Sequence, residues 1–116
     1  MTDLTLPSRG DIWLADLNPT RGHEQAGMRP VLIYSTNIFN HGPSNLLFVV
    51  PLTTKVHPYP FRVRIDPPEG GLREPSFALC DSLRSISKER LVKRWGKVSP
   101  ARLEPIADYL RILLEL

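Results

Sequence analysis

The chain is organised around a polar loop held between two apolar runs: Ile12-Trp13-Leu14-Ala15-Asp16-Leu17, then Thr20-Arg21-Gly22-His23-Glu24-Gln25-Ala26-Gly27-Met28-Arg29-Pro30, then Val31-Leu32-Ile33-Tyr34-Ser35. Both runs have strand length and are rich in branched and aromatic residues, which predicts two strands. The second run is almost continuously apolar, which is typical of a strand buried on both faces. The charged groups of the loop are therefore held on a rigid frame, as binding sites commonly are.

Three residues shape the loop. Gly22 and Gly27 allow backbone conformations that other residues reach only at a steric cost, and Pro30 restricts the start of the second strand. The polar side chains between these points offer a proton acceptor near neutral pH, a carboxylate, an amide and a permanent cation: His23, Glu24, Gln25 and Arg29. This set suits phosphate chemistry. Residue types alone also fit a solvated turn whose charges pair weakly on the surface.

Length and composition predict one domain over residues 1–116, with residues 1–8 as a loose lead-in. No run approaches the ~20 apolar residues of a membrane span, and the N-terminus lacks a signal pattern, so we expect a cytoplasmic protein. The lone Cys80 has no internal disulfide partner. Its apolar setting predicts a buried, structural side chain rather than a nucleophile.

The formal net charge is +3, and arginines outnumber lysines by eleven to four. Arginine presents a planar fork suited to bidentate phosphate contact, and a positive field favours polyanions. Nucleic acid is therefore a plausible partner. A charge of this size also occurs on many proteins that bind no nucleic acid.

Further strands are expected along the chain. Leu46–Val50 reads as a third strand that runs into Pro51–Thr54, and Pro51 predicts a bulge or an edge because it lacks an amide donor. Phe61–Ile65 alternates strictly, which predicts that Arg62 and Arg64 face water. The two arginines fit an ordinary solvated strand face or, alternatively, a phosphate track.

The second half of the chain predicts short strands followed by one helix. Ser76–Cys80 reads as a strand that continues through Asp81–Ser87, with a helical turn over Ser87–Leu91 and a last strand over Arg94–Val98. Ser99-Pro100 begins a helix whose regular part starts around Pro105. Its apolar residues recur at helical spacing: Leu103, Ile106, Leu110, Leu113 and Leu114. The expected fold is mainly β, a small, strongly bent antiparallel sheet or partly open barrel with appended helices, the last an amphipathic C-terminal helix.

No metal or nucleotide site is predicted. His23, His41 and His57 are scattered without ligand spacing, and the glycines do not form a phosphate-binding loop. No cofactor is therefore expected. RNA offers a metal-free reaction, because its own 2′-hydroxyl can attack the adjacent phosphate when a base removes the proton and cations stabilise the developing charge.

The order of the motifs resembles the MazF/PemK-type toxin ribonucleases of type II toxin–antitoxin systems. The matching segments are Arg9-Gly10-Asp11-Ile12-Trp13-Leu14, Asn18-Pro19-Thr20, Gly22-His23-Glu24-Gln25-Ala26-Gly27, Arg29-Pro30-Val31-Leu32, Val50-Pro51-Leu52-Thr53 and Cys80-Asp81-Ser82-Leu83-Arg84-Ser85-Ile86. The resemblance implies an SH3-like barrel, a homodimer, and an acidic, partly disordered antitoxin as partner. It also implies sequence-specific cleavage of single-stranded RNA.

The resemblance also assigns roles to residues. Glu24 is the expected base toward the 2′-hydroxyl, Arg29 the residue that holds the developing charge, and Thr53 a hydrogen-bond donor to a phosphate oxygen. The pKa of arginine above ~12 makes proton donation by Arg29 demanding, so we favour electrostatic stabilisation. Further catalytic or RNA-binding candidates are His23, Gln25, Asp81 and Arg84.

The chain departs from the family pattern in ways that bear on the base. Many relatives have Ser in place of His23 and Gln in place of Ser82. A subset similar to the Kid toxin shares the His and Asp81, but has an Arg where this chain has Leu79. The choice of base is therefore open, with Glu24 first and Asp81 or His23 next.

Two other functions are considered. The related CcdB-type toxins share the fold and poison DNA gyrase by protein contact, but typically end in Trp-Gly-Ile. This chain ends in Leu114-Glu115-Leu116 and carries the Glu24/Arg29 loop, which favours the nuclease. The third interpretation is an inactive barrel domain.

Overall fold

The structure is a computed structural model that describes residues 6–18, 22, 26–56 and 58–116. Its strands are β1 (Asp11–Asp16), β2 (Met28–Ile33), β3 (Leu46–Thr53), β4 (Arg62–Ile65), β5 (Ser76–Leu79), β6 (Arg84–Ser87) and β7 (Leu91–Lys97). Its α-helices are α1 (Asn37–Asn40) and α2 (Leu103–Leu114). Short 3₁₀ turns occupy Glu69–Gly71, Cys80–Ser82, Lys88–Arg90 and Pro100–Arg102.

All strand pairs are antiparallel, in the order β4-β5-β3-β2-β1-β7. β3 is the longest strand, and one of its edges is shared: Leu46–Val49 pairs with β6, and Leu52–Thr53 with β5. The terminal strands β4 and β7 do not pair with each other, so the sheet is open rather than closed. The mainly β, bent antiparallel fold with a C-terminal helix is confirmed.

The sheet buries apolar side chains on both faces. One core is covered by α2 and contains Ile12, Leu32, Val50, Leu52, Val63, Ile65, Leu72, Ala78, Cys80, Val98, Ile106 and Leu110. The other comes from strands and the residue after β1: Ala15, Leu17, Val31, Ile33, Leu47, Val49 and Ile86. No helix contributes to the second core, yet its residues are at most 3% exposed. The strands must therefore curl around it, which is the bend that the short, apolar strands predicted.

β2 confirms the prediction of a strand buried on both faces, because Val31 lies in one core and Leu32 in the other. The predicted start of this strand was wrong. β2 begins at Met28, so Arg29 and Pro30 belong to the strand rather than to the loop. Pairing with β1 extends the strand, and Pro30 is tolerated because the ladder with β3 begins only at Val31.

Pro51 does not mark an edge. β3 is an interior strand, and Pro51 lies opposite Val31 of β2. On its other side, the neighbour of β3 changes from β6 to β5 between Val49 and Leu52. A residue without an amide donor is tolerated at such a change of partner.

β5 and β6 form an interrupted version of the single strand that was predicted over Ser76–Ser87. Ala78 lies opposite Leu52, and Arg84 lies opposite Val49. The chain therefore advances six residues from β5 to β6 while the paired positions on β3 move by three. The 3₁₀ turn Cys80–Ser82 takes up the excess. The break places Asp81 on a turn rather than in the middle of a strand.

The buried carboxylate of Asp11 ties the start of β1 to its surroundings. It is 2% exposed. Its Oδ2 accepts hydrogen bonds from the Ser8 amide at 3.0 Å and from Trp13 Nε1 at 3.3 Å. Arg94 Nη2, on β7, lies 3.4 Å from Oδ1. One side chain thus joins the lead-in, β1 and β7, and buried charges persist only when they are paired in this way.

We expect Asp11→Ala to lower the free energy of unfolding by roughly 1–3 kcal/mol, because it leaves donors in the interior without an acceptor. Urea denaturation followed by circular dichroism measures the loss. Asp66→Ala is the matched control, since Asp66 pairs with Arg64 at 2.8 Å on the surface and such pairs contribute at most about 1 kcal/mol. Equal losses in the two variants would contradict a structural role for the Asp11 network.

Candidate functional site

The base of the polar loop is closed by hydrogen bonds. The Leu17 amide donates to the Gly27 carbonyl at 3.0 Å, and the Gly27 amide donates to Asn18 Oδ1 at 3.0 Å. Gly22 and Gly27 have φ of +63° and +78°, in the left-handed region. The prediction that these glycines adopt conformations costly for other residues is confirmed.

Three of the predicted site residues, His23, Glu24 and Gln25, lie outside the described residues. Their roles stay predictions. The structure describes instead the two ends of their segment, which leave β1 and enter β2 side by side. Whatever the segment binds is therefore held next to the β1–β2 end of the sheet.

Arg29 is half-buried on β2, opposite Ala15 of β1. Its Nε donates to the Ala26 carbonyl at 2.9 Å, which fixes the direction of the guanidinium. Within the described residues, its two terminal nitrogens have no hydrogen-bond partner and no ion pair. No described residue therefore occupies the end of the arginine fork.

Thr53 is the last residue of β3, lies opposite Phe77 of β5 and is 7% exposed. Its Oγ1 accepts a hydrogen bond from the Lys55 amide at 3.2 Å. A hydroxyl carries one proton as well as its lone pairs. Because the Lys55 amide uses a lone pair, the Thr53 proton remains available for an acceptor such as a phosphate oxygen.

The strand register places Arg29 and Thr53 together. The β2–β3 ladder ends with Val31 opposite Pro51. If that register is continued two residues beyond the last pair, Arg29 is level with Thr53. Residues directly opposite each other in a ladder point to the same face. A guanidinium and a hydroxyl, remote in sequence, thus share one end of the sheet.

Asp81 and Arg84 lie further away. Asp81 is exposed on the 3₁₀ turn after β5. Arg84 begins β6 opposite Val49, four residues before Thr53 on β3, which is roughly 13 Å along a strand. Arg84 shares the face of Thr53, because Val49 and Thr53 are separated by an even number of residues. Arg29 and Thr53 therefore lie at one end of β2 and β3, and Arg84 begins its strand further along β3.

The two arginines of β4 differ from each other. Arg64 is exposed, as predicted, and pairs with Asp66 at 2.8 Å. The prediction that Arg62 faces water was wrong: it is half-buried, and its Nε and Nη1 are buried without a hydrogen-bond partner among the described residues. Alternation predicts which face a side chain takes, but not what covers that face. Here the ring of Tyr59 lies 5.6 Å from the guanidinium carbon.

An open cavity of about 560 Å³ lies on the opposite face of the sheet. Pro30 and Thr54 line it, each one residue removed from Arg29 and Thr53. Neighbouring residues of a strand point to opposite faces, so this cavity is separate from the Arg29–Thr53 pair. We therefore place the candidate site by its donors rather than by the cavity.

Cys80 takes no part in this site. It is 1% exposed, as predicted for a structural residue. Burial first, and the negative charge of Asp81 second, raise the pKa of its thiol to about 11. A thiol with that pKa stays protonated near neutral pH, so Cys80 is not a nucleophile under those conditions.

Two kinds of feature are absent from the part of the chain that the structure describes. No group of three or more His, Cys, Asp or Glu side chains is placed there to hold a metal ion. No helix there is long and apolar enough to cross a membrane.

Comparisons with known proteins agree with the fold and the motifs. Endoribonuclease MazF9 of Mycobacterium tuberculosis (strain ATCC 25618 / H37Rv) is 35% identical over 113 residues, covering 93% of this chain and 96% of the relative. The crystal structure of MazF from Deinococcus radiodurans superposes with a TM-score of 0.85 at 27% identity, over 96% of this chain and 98% of that one. An endoribonuclease from a mycobacterial species, solved in complex with its cognate antitoxin, gives a TM-score of 0.75 at 27% identity and covers 97% of both chains.

A family model agrees with these relatives. The model for the PemK-like, MazF-like toxin of type II toxin–antitoxin systems matches residues 8–114. That range includes every strand, both helices and the whole polar loop. The chain therefore belongs to the PemK-like, MazF-like toxin family.

Proposed function

We propose that this chain is the toxin of a type II toxin–antitoxin system, acting as a metal-independent endoribonuclease on single-stranded RNA. One observation carries the proposal: Arg29 and Thr53 lie at the same end of the neighbouring strands β2 and β3, and each keeps donors that no described residue uses. Oriented donors of this kind suit the charge that develops on a phosphate under attack. Relatives named as endoribonucleases support the same activity.

The reaction needs no nucleophile from the protein. The 2′-oxygen of the RNA attacks the adjacent phosphorus, forming a P–O2′ bond, while the bond from phosphorus to the 5′-oxygen breaks. The proton of the 2′-hydroxyl passes to a base, and a proton is delivered to the leaving 5′-oxygen. The products are a 2′,3′-cyclic phosphate, which water can open to a 3′-phosphate, and a 5′-hydroxyl.

Arg29 and Thr53 take the electrostatic part of this reaction in our proposal. The free end of the Arg29 fork binds a non-bridging phosphate oxygen as negative charge grows there, and Thr53 donates its hydroxyl proton to the same group. Glu24 is the first choice as base, with His23 and Asp81 as alternatives. Gln25 and Arg84 are proposed to contact the RNA without taking part in proton transfer.

Membership of this family favours the nuclease over a CcdB-like contact with gyrase. We further propose that residues 1–116 act as one domain with an SH3-like barrel, in the cytoplasm. An acidic antitoxin segment is the proposed regulator. The net charge of +3 supports it, as does the mycobacterial relative solved with its cognate antitoxin.

A homodimer is proposed because apolar side chains remain exposed around a groove between α2 and β3. Phe48, Leu114 and Leu116 are 43%, 53% and 82% exposed, and all three line this groove of about 410 Å³. Apolar patches of this kind commonly mark protein interfaces. Sedimentation velocity at micromolar concentration should give the mass of two chains, and a monomer there would argue against the dimer.

The proposed activity is tested by incubating the protein with a long single-stranded RNA in excess EDTA. We expect discrete cuts whose fragments carry cyclic phosphate or 3′-phosphate ends and 5′-hydroxyl ends, because the 2′-hydroxyl supplies the nucleophile. Primer extension maps the cuts, and end-specific labelling identifies the ends. Activity that disappears in EDTA and returns with magnesium would contradict the proposed reaction.

Arg29→Lys separates catalysis from folding. Lysine keeps the charge but loses the planar fork, so we expect the cleavage rate to fall on the order of 10²–10³-fold, by analogy with the loss of one oriented donor. The melting temperature should fall by only a few degrees, because only the hydrogen bond to Ala26 is lost. Single-turnover cleavage and thermal unfolding measure the two effects.

Arg64→Lys is the control for Arg29→Lys, because Arg64 is exposed and already paired with Asp66. We expect near-normal cleavage by this variant. Near-normal cleavage by Arg29→Lys as well would remove Arg29 from the site. A large drop in its melting temperature would instead assign Arg29 to the structure.

A further inference from the structure

Two hydrogen-bond donors of the Arg62 side chain lack partners among the described residues. Nε and Nη1 are buried, and neither has a hydrogen-bond partner among the described residues. No carboxylate of the described residues lies within ion-pair distance of its guanidinium. Buried donors of a charged group are normally paired, because leaving them unpaired costs stability. The loss of stability caused by unpaired donors on this side chain is accounted for if a bound ligand accepts hydrogen bonds from them.

The position of Arg62 relates it to the Arg29–Thr53 pair. Arg62 lies opposite Leu79 on β5, and Thr53 lies opposite Phe77 on the same strand. Phe77 and Leu79 are two residues apart and therefore point to one face. Arg62 and Thr53 thus share that face, roughly 10 Å apart across two strands and offset by a further ~7 Å along them.

The surroundings of Arg62 favour an extended anionic ligand. β4 is the last strand of the sheet, so a ligand can pass along its outer side. Its neighbour on the same face, Arg64, is already neutralised by Asp66. The ring over the Arg62 guanidinium belongs to Tyr59, which is 62% exposed. A phosphate that displaces this ring can accept one charge-assisted hydrogen bond from Nε, since Nε and Nη1 lie on different edges of the guanidinium.

We propose that Arg62 binds a backbone phosphate of the RNA strand whose scissile phosphate lies at Arg29 and Thr53. This inference rests on the proposed ribonuclease function and adds to it a path for the strand, from the β2–β3 end of the sheet across β5 to the edge strand β4. Contacts to phosphate position a strand without reading its sequence. Arg62 is a positioning residue, and its loss affects binding of every RNA equally.

The test compares Arg62→Met with the matched control Arg64→Met. The probe is a fluorescent oligoribonucleotide spanning a mapped cut site, with a 2′-deoxy nucleotide at the attacking position so that it binds without being cut. Anisotropy titrations over a series of salt concentrations give the affinity and its salt dependence. We expect Arg62→Met to weaken binding about tenfold and to reduce the slope of log K against log [salt] by about 0.7, the value for one phosphate contact on a single strand. Arg64→Met should change the affinity by less than about twofold, because its charge is already paired.

Two further measurements exclude a structural role. Arg62→Met should melt at or above the temperature of the unsubstituted protein, because it removes unpaired buried donors while keeping an apolar stem. Arg62→Lys should weaken binding with little change in the salt slope, since the charge stays and the fork is lost. This second variant also answers the question if Arg62→Met does not fold.

The outcomes separate this assignment from the proposed function. If the unsubstituted protein does not bind or cut RNA, the proposed function fails and the assignment fails with it. If the unsubstituted protein cuts RNA while Arg62→Met binds with normal affinity and slope, only the assignment is overturned. An equal loss in Arg64→Met, or a marked drop in the melting temperature of Arg62→Met with normal binding by Arg62→Lys, also overturns it.

Discussion

β3 has neighbouring strands along both edges and buries six of its eight residues, and the other strands are placed around it. On one edge it pairs with β2, and on the other it needs β6 for its first half and β5 for its second. The backbone donors and acceptors of an interior strand are all paired only if each half of the strand has a neighbouring strand. The 3₁₀ turn Cys80–Ser82 allows one passing segment to serve both halves. The bend of the sheet, its two cores and the position of α2 follow from this arrangement.

The same strand carries Thr53, one of the proposed site residues. Thr53 ends β3 at the point where its pairing with β2 has stopped, and Arg29 occupies the matching position on β2. Both side chains are directed by strand alternation and each is fixed by one backbone contact, to Lys55 and Ala26 respectively. Donors held by a rigid sheet need little reorganisation when charge develops, which is the usual requirement for electrostatic stabilisation of a transition state. The polar loop that begins at the same end of the sheet can then contribute a base without having to position the phosphate.

Several of the arginines that could favour a polyanion already have partners within the protein. Six arginines have protein partners: Arg9 with the Tyr34 carbonyl, Arg64 with Asp66, Arg90 with backbone carbonyls of Asp16 and Asn18, Arg94 with Asp11, Arg102 with Glu69 and Arg111 with Asp108. Arg29 keeps the end of its fork, and Arg62 keeps two buried donors. An excess of arginine therefore says little about where RNA binds until the internal partners are known. Among the described arginines, Arg29 and Arg62 keep donors that no described residue uses, and Arg62 lies on the face that carries Thr53.

The sequence alone was sufficient for the elements whose causes are local. Strands with strong apolar patterns, the left-handed glycines Gly22 and Gly27, the turn over Lys88–Arg90 and the helix after Ser99-Pro100 all follow from periodicity and backbone preference. The order of the motifs also identified the family, and with it Arg29 and Thr53 as candidates.

Features that depend on a distant segment of the chain could not be predicted from the sequence. The early start of β2 results from pairing with β1, and the position of Pro51 inside the sheet results from a change of partner on β3. The different environments of Arg62 and Arg64 depend on which side chains cover them, since both have the same place in the alternating pattern of β4. Alternation assigns a side chain to a face of the sheet, whereas its burial, its partners and its availability to RNA depend on what the folded chain places over that face.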